Sequence, residues 1–325
     1  MKRQLKMSLA VFISFFSTSL AASSSAAISC QFETAQIIQA AASAIQERYV
    51  LEEKADTLSA QLNRLAKSKR FNHLCSDYQQ FAHTLTEEIR TLSGDKHFYV
   101  EHVDTRIEAH NWIEQWQAEA PSNNFGVKKI EILPGNIGYL SLSSFHTFEN
   151  AQQTLAAAFI LLSHSEGFIL DLRNNGGGDE ETAYAVLQSF IDPQSPFPFF
   201  IESRKRREIP KRISPQPWPA YGSDRPLVIL IDERSFSASE STAFALQQLG
   251  RATVIGAASA GGAHMMESPQ SLPNGFEIGI PDKRPVSTIV DSRLNWEGLG
   301  VIPDIEAGNR EIIQIALKVM AGNRQ

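Results

Sequence analysis

Pro226-Leu-Val-Ile-Leu-Ile-Asp232, followed by Glu-Arg-Ser235-Phe-Ser237-Ala-Ser-Glu240, is the stretch on which the fold turns. An unbroken aliphatic, β-branched run between Pro226 and Asp232 reads as a strand buried on both faces. The serines with Glu240 behind them open a helix. Strand, turn and helix in this order make one unit of a layered α/β domain, whose functional residues gather at the strand-to-helix turns. A serine there has two readings. It caps the helix, as serine commonly does, or its hydroxyl works at the positive end of the helix dipole, beside the free N–H groups of the first turn.

Outward from this unit, Ile137–Leu142, Phe168–Leu172 and Thr253–Ile255 repeat the short apolar strand, and 180–191 and 240–249 read as helices. A second strand-to-helix turn reads Asp171-Leu-Arg-Asn-Asn-Gly-Gly-Gly178. Consecutive glycines let backbone amides approach a ligand, as an oxyanion hole or a phosphate turn requires. No Lys-Ser/Thr pair follows, which disfavours a phosphate-binding P-loop. Asp171 and Arg173, a charged pair at a strand end, read as structural support for that turn. A third segment, Asn295-Trp-Glu-Gly-Leu-Gly-Val-Ile-Pro-Asp304, is by itself only turn punctuation.

Towards the N-terminus, from Glu33 to about Leu92, apolar residues recur at three and four positions, predicting a helical bundle that stops at Ser93-Gly94. His97–Val103 follows as a short strand, and 118–124 reads as a linker. The Pro-rich stretch 193–219, with the basic run Arg204–Arg207, is expected as a surface loop with a solvated charged face.

The chain has 325 residues, 42% hydrophobic and 20% charged, enough for two domains. A net charge of −6 without a basic stripe argues against a nucleic-acid partner. No Cys/His/Asp set shows metal-ligand spacing, so neither metal nor other cofactor is expected. Nothing in the residues bears on oligomeric state. Met1–Lys6, the apolar run to Leu20 and the small residues Ala21–Ala27 have the order of a secretory signal peptide, too short to remain in a bilayer. A periplasmic or secreted mature chain starting near Ile28 is expected. A lipid anchor at Cys30 fits less well, because Ala27-Ile28-Ser29 departs from a leucine-led lipobox. Two cysteines in an oxidising compartment predict a Cys30–Cys75 disulfide.

Taken together, Gly138-Tyr-Leu-Ser-Leu-Ser-Ser-Phe145, the Asp171–Gly178 and Ser235–Glu240 stretches, Ser259-Ala-Gly-Gly-Ala263 and Trp296–Asp304 resemble the C-terminal processing (tail-specific) serine peptidases. Within that family they are similar to the branch of interphotoreceptor retinoid-binding protein and the tricorn core protease. The resemblance implies an α+β or α/β chain with a signal peptide at 1–27, a helical cap at 28–110, a linker at 111–134 and a crotonase-like ββα catalytic domain at 135–325. It leaves no room for a PDZ domain. It implies Ser237 as nucleophile and Gly177 and Ala238 as oxyanion donors. In the tail-specific branch a lysine base follows a Gly-x-x-Thr-x-Gly stretch, but Gly262 stands at that place here. His97, after Asp95-Lys96, is the base the resemblance then implies, with Glu297 assisting and holding its pKa up. His264 is the competing base. The expected activity is peptide-bond hydrolysis of a peptide or protein. The alternatives are a non-catalytic binder of an apolar ligand in the same cleft, and an esterase.

Overall fold

The three-and-four periodicity becomes three helices, α1 (Thr34–Arg48), α2 (Glu52–Lys67) and α3 (Tyr78–Ser93), in a computed structural model that describes residues 29–103, 112–289 and 295–322. The expected signal peptide lies outside the described residues. Ile37, Ile38, Ala41 and Ile45 of α1 turn inward onto Leu58 and Leu62 of α2 and Phe81, Leu85 and Ile89 of α3. Chemistry sets the ends of α3. Asp77 accepts the Gln80 N–H at the start, and Gly94 at φ 74° supplies the left-handed residue that stops it. The chain then turns into β1 (Tyr99–His102), with Asp95, Lys96 and His97 in the turn.

Cys30 and Cys75 are joined by a disulfide that spans 45 residues and ties the lead into α1 to the lead into α3. In the loop-entropy account a closure of this length restricts the unfolded chain by about 4 kcal/mol. The double variant Cys30→Ser/Cys75→Ser is accordingly expected to unfold at a clearly lower urea concentration. An unmoved midpoint at an unchanged slope would show that the bridge contributes nothing.

Helix α4 (Trp112–Glu119) and a short 3-10 stretch lead into β2 (Val127–Leu133), so the segment expected as linker carries regular structure, including a strand. After it come β3 (Ile137–Leu142), α5 (Phe148–Leu162), β4 (Gly167–Asp171), α6 (Glu180–Gln188), β5 (Phe199–Ser203) and β6 (Arg207–Glu208). Next are β7 (Leu227–Ile231), α7 (Ala238–Gln248), β8 (Thr253–Gly256), β9 (Gln270–Ser271), β10 (Phe276–Gly279), β11 (Lys283–Ser287), β12 (Ile305–Glu306) and α8 (Ile312–Gly322). The central sheet has the order β12-β8-β7-β4-β3-β2, parallel except for β2. Its side chains alternate with a period of two. Leu140, Leu170, Ile229 and Val254 face α5, α6 and α7, while Tyr139, Ile169, Leu230 and Ile255 face α8. The fold is thus a mixed α/β layered unit with a helical N-terminal region.

The two regions are not separate cores. β1 pairs antiparallel with β10, Tyr99 opposite Gly279, and Leu272, Phe276, Ile278 and Ile280 complete the hydrophobic core of the helical region. Arg204 was expected on a solvated face; instead it donates to the Tyr49 and Gln46 carbonyls at the end of α1, at 2.7 and 2.8 Å. A guanidinium there satisfies orphan carbonyls of the last turn. The Pro-rich segment around it is not all loop either, since β5 is the middle strand of the sheet β11-β5-β6. Proline erases the alternation by which such a strand would be read.

Candidate active site

Three loops meet at the carboxyl ends of β4, β7 and β8, where parallel sheets place ligands. The first, from β4, is braced by Arg173, whose Nε and Nη2 hold both Asp171 oxygens at 2.9 and 2.5 Å, while Tyr139 OH donates to Asp171 Oδ2 at 2.6 Å. The pair sits at the root of the turn rather than in the cleft, as structural support would.

The second loop carries the serines, and their hydrogen bonds separate them. Ser235 is fully buried and donates to Leu172 O at 2.8 Å. Ser239 is also fully buried and donates to Asn175 O at 3.0 Å. Both therefore hold the second loop to the first. Ser237 is partly exposed and stands before the first residue of α7 at φ 57°, ψ −118°. A non-glycine residue in that region is strained, and such strain persists only where the surroundings impose it. Glu240 does much of the imposing. Its carboxylate accepts Ser237 N–H at 2.8 Å, Gly261 N–H at 2.6 Å, Gly262 N–H at 2.8 Å and Ser259 Oγ–H at 2.5 Å, locking the serine turn to the third loop. Burial raises the Glu240 pKa against the pull of those donors. In the sequence this residue shows only as a helix-capping glutamate.

Gly177 lies against the serine. A Cβ there would stand 2.8 Å from Ser237 Cβ and 2.7 Å from Phe236 O, so only glycine fits. Its own N–H, expected in the oxyanion hole, donates instead to Asn175 Oδ1 at 2.8 Å. The Ala238 N–H, first of α7, has no acceptor among the described residues. It is free to donate to a group placed beside Ser237.

The helical region brings its own groups to the cleft. Asp95, buried, accepts from His264 Nδ1 at 2.6 Å, Tyr49 OH at 3.3 Å and His97 N at 3.0 Å. Burial pulls the Asp95 pKa up, but the hydrogen bond and charge of His264 outweigh it, and the net direction is down. Glu297 Oε2 accepts the Ala263 and His264 N–H groups at 2.7 and 3.1 Å, while Oε1 is buried with no partner among the described residues. Burial, then the nearby Asp95 charge, raises the Glu297 pKa. His264 thus bridges two carboxylates from inside the protein.

His97 is differently placed. Its ring stacks on Phe236, the residue before Ser237, with centroids 4.6 Å apart, and both ring nitrogens are buried and unpartnered among the described residues. Burial drives its pKa down to about 4, against the pull of Asp95 at 3.8 Å. It is not held up by Glu297, contrary to the expectation from sequence. Ligand atoms of Asp95, His97 and Glu297 lie within 4.8 Å of one another, a cluster no sequence spacing announces and one that would also suit a divalent cation.

Gly262 explains how the ring fits. A Cβ at 262 would run into the Phe236 ring and lie 2.7 Å from His97 Cε1. The imidazole occupies the space into which a side chain from residue 262 would project. Gly262→Ala is therefore expected to push the two rings apart, losing about 1–3 kcal/mol of stability and most of the activity. A variant with parental kcat/KM and melting temperature would show that the stack is not needed.

Residues 136–307 match the family model described as Peptidase family S41, and residues 22–147 match that of the N-terminal domain of Peptidase_S41 in eukaryotic IRBP. The carboxyl-terminal-processing protease of Synechocystis sp. is 33% identical over 153 residues, which cover 45% of this chain and 33% of that protein. The match thus spans about a third of the length of that relative. A putative peptidase from Parabacteroides merdae superposes with a TM-score of 0.62 at 17% identity, covering 89% of this chain and 97% of that one. The tricorn protease superposes with a TM-score of 0.59 at 13% identity, covering 90% of this chain and 37% of that one.

Proposed function

The chain belongs to peptidase family S41, and from that premise we propose that it is an exported serine peptidase that cleaves amide bonds through an acyl-enzyme on Ser237, with His97 as general base. The observation that carries the reading is Ser237 itself, held at a strained φ/ψ at the head of α7 while its neighbours Ser235 and Ser239 are tied down inside the protein. In the proposed reaction Ser237 Oγ attacks the carbonyl carbon and His97 takes the hydroxyl proton. The carbonyl oxygen becomes an oxyanion held by Ala238 N–H and a second amide of the 176–178 turn. Collapse breaks the C–N bond, and the proton on His97 passes to the leaving amine. Water then attacks the ester carbon, giving a proton to His97; the acyl C–Oγ bond breaks, the proton passes from His97 to Ser237 Oγ, and the acid leaves. Asp95, whose charge favours the protonated ring, stabilises the imidazolium, and its hydrogen bond with His264 positions the turn that carries His97.

The catalytic unit is read as crotonase-like and without a PDZ insertion, supported by the parallel run β3-β4-β7-β8 and by β1 being followed so soon by α4 and β2. Export is supported by the disulfide. No helix among the described residues is long and apolar enough to cross a membrane. Against the apolar-ligand binder stands the pocket beside Ser237, which has about 10 Å³ of free space. That is room for one water, whereas sites for small molecules usually run to roughly 300 Å³ or more. The test is titration with a serine-directed phosphonate. One equivalent should attach, and peptide mapping should place it on Ser237. A protein that takes up no phosphonate while folded would return the binder reading, and cleavage of esters without amides would make it an esterase.

A further inference from the structure

The pocket that adjoins Ser237 lies between the first turns of α6 and α7. Its walls are Ala263, Met265, Trp296 and the Tyr184 ring, and its polar groups are Glu180 and Ser241. The walls are fixed from behind. Trp296 Nε1 donates to Gly262 O at 2.9 Å and packs on Phe244, and Met265 N–H donates to Lys283 O at 2.9 Å.

The polar groups are short of partners. Ser241 is 4% exposed, and its Oγ has no hydrogen bond among the described residues. A buried hydroxyl without a partner calls for an explanation, and a ligand is one. The Glu180 carboxylate accepts from Tyr184 OH at the long distance of 3.4 Å. Burial raises the Glu180 pKa against the pull of the Lys283 charge. Apolar walls around an acceptor and an idle hydroxyl, in a narrow space, define a complement: a short side chain ending in a hydrogen-bond donor.

We infer that this pocket receives the side chain of the residue on the acyl side of the scissile bond, and that Ser241 and Glu180 select threonine or serine there. The inference rests on Ser237 being the residue acylated. Lysine and arginine carry the donor but are too long for the space. Alanine fits and leaves Ser241 unpaired. Valine, the same shape as threonine, sets a methyl group against the buried hydroxyl and carboxylate. A site built to hydrogen-bond a hydroxyl discriminates against the analogue that lacks it.

The experiment compares two peptides identical but for threonine or valine at that position. With the parent protein, kcat/KM for the threonine peptide is expected to exceed that for valine by about tenfold or more, with lysine below both. Ser241→Ala should bring the threonine-to-valine ratio to about one by lowering the threonine rate. Binding of both peptides to Ser237→Ala, followed by fluorescence polarisation, separates the two claims. If the parent cleaves neither peptide but Ser237→Ala prefers threonine, the pocket assignment stands and the peptidase reading falls. If the parent cleaves valine as well as threonine, or prefers lysine, the pocket assignment falls alone. Neither cleavage nor a binding preference overturns both.

Discussion

Ser237→Ala is expected to lower amide hydrolysis by about a million-fold, the scale on which removal of a serine nucleophile acts, while the melting temperature changes little. The stability side follows from the hydrogen bonds. The contact that holds the turn is the backbone N–H of Ser237 on Glu240, which alanine keeps. Phosphonate uptake should vanish together with turnover, because both need the same oxygen. A folded Ser237→Ala protein that retained a measurable share of the parental rate would overturn the assignment outright, since Ser235 and Ser239 are fully buried with their hydroxyls engaged.

The second large effect is expected at His97. His97→Ala should lose several orders of magnitude in kcat, about ten-thousand-fold or more by analogy with other triad bases, and should slow phosphonate labelling of Ser237 in parallel. His264→Ala is expected to fail differently. It leaves the buried Asp95 and Glu297 carboxylates without the group between them, so the melting temperature drops, whereas labelling per folded molecule persists. The pH profile gives an independent readout. A base with its pKa near 4 is neutral at pH 7, and the acid limb of kcat/KM is expected close to 4 rather than near the ordinary histidine value. The same displacement acts on stability. The unfolded imidazole binds a proton from about pH 6.5 downwards and the folded one only near 4. Stability contributed at this site is therefore complete above the unfolded value and falls as pH drops through that window, and His97→Gln should flatten the fall. An acid limb near 6.5, or a fully active His97→Ala, would remove His97 from the mechanism.

Which features could be read from sequence follows from the range of the interactions behind them. The strand–turn–helix at 226–240 was legible because burial on both faces, a capping serine and a glutamate three residues on are local properties. The helices of the N-terminal region were legible by period. Glu240 as a hub for four donors was not, because three of those donors lie on the 259–262 loop. Asp95 reads in the sequence only as part of a motif, since its partners Tyr49 and His264 meet it through tertiary packing. The direction of the Gly177 amide was hidden for a similar reason. Glycine makes the approach to Ser237 possible, but the direction of its N–H is decided by the Asn175 side chain. β5 and Arg204 were hidden by proline and by a charge run that looks solvated until the end of α1 is placed against it.

The pairing of β1 with β10 also dictates an order of assembly. On a ribosome the three helices emerge early, but the strand that completes their core, with Phe276 and Ile278, is among the last parts of the chain to be made. A contact so distant in sequence forms only after a large loop has closed. Until then the turn bearing His97 has no sheet edge to dock on, and the 259–262 loop that contacts Lys96 has itself barely appeared. The nascent chain therefore holds Ser237 before the turn bearing His97 has docked beside it. On the proposed mechanism the site would come together only when synthesis is nearly complete, and topology alone would delay its assembly.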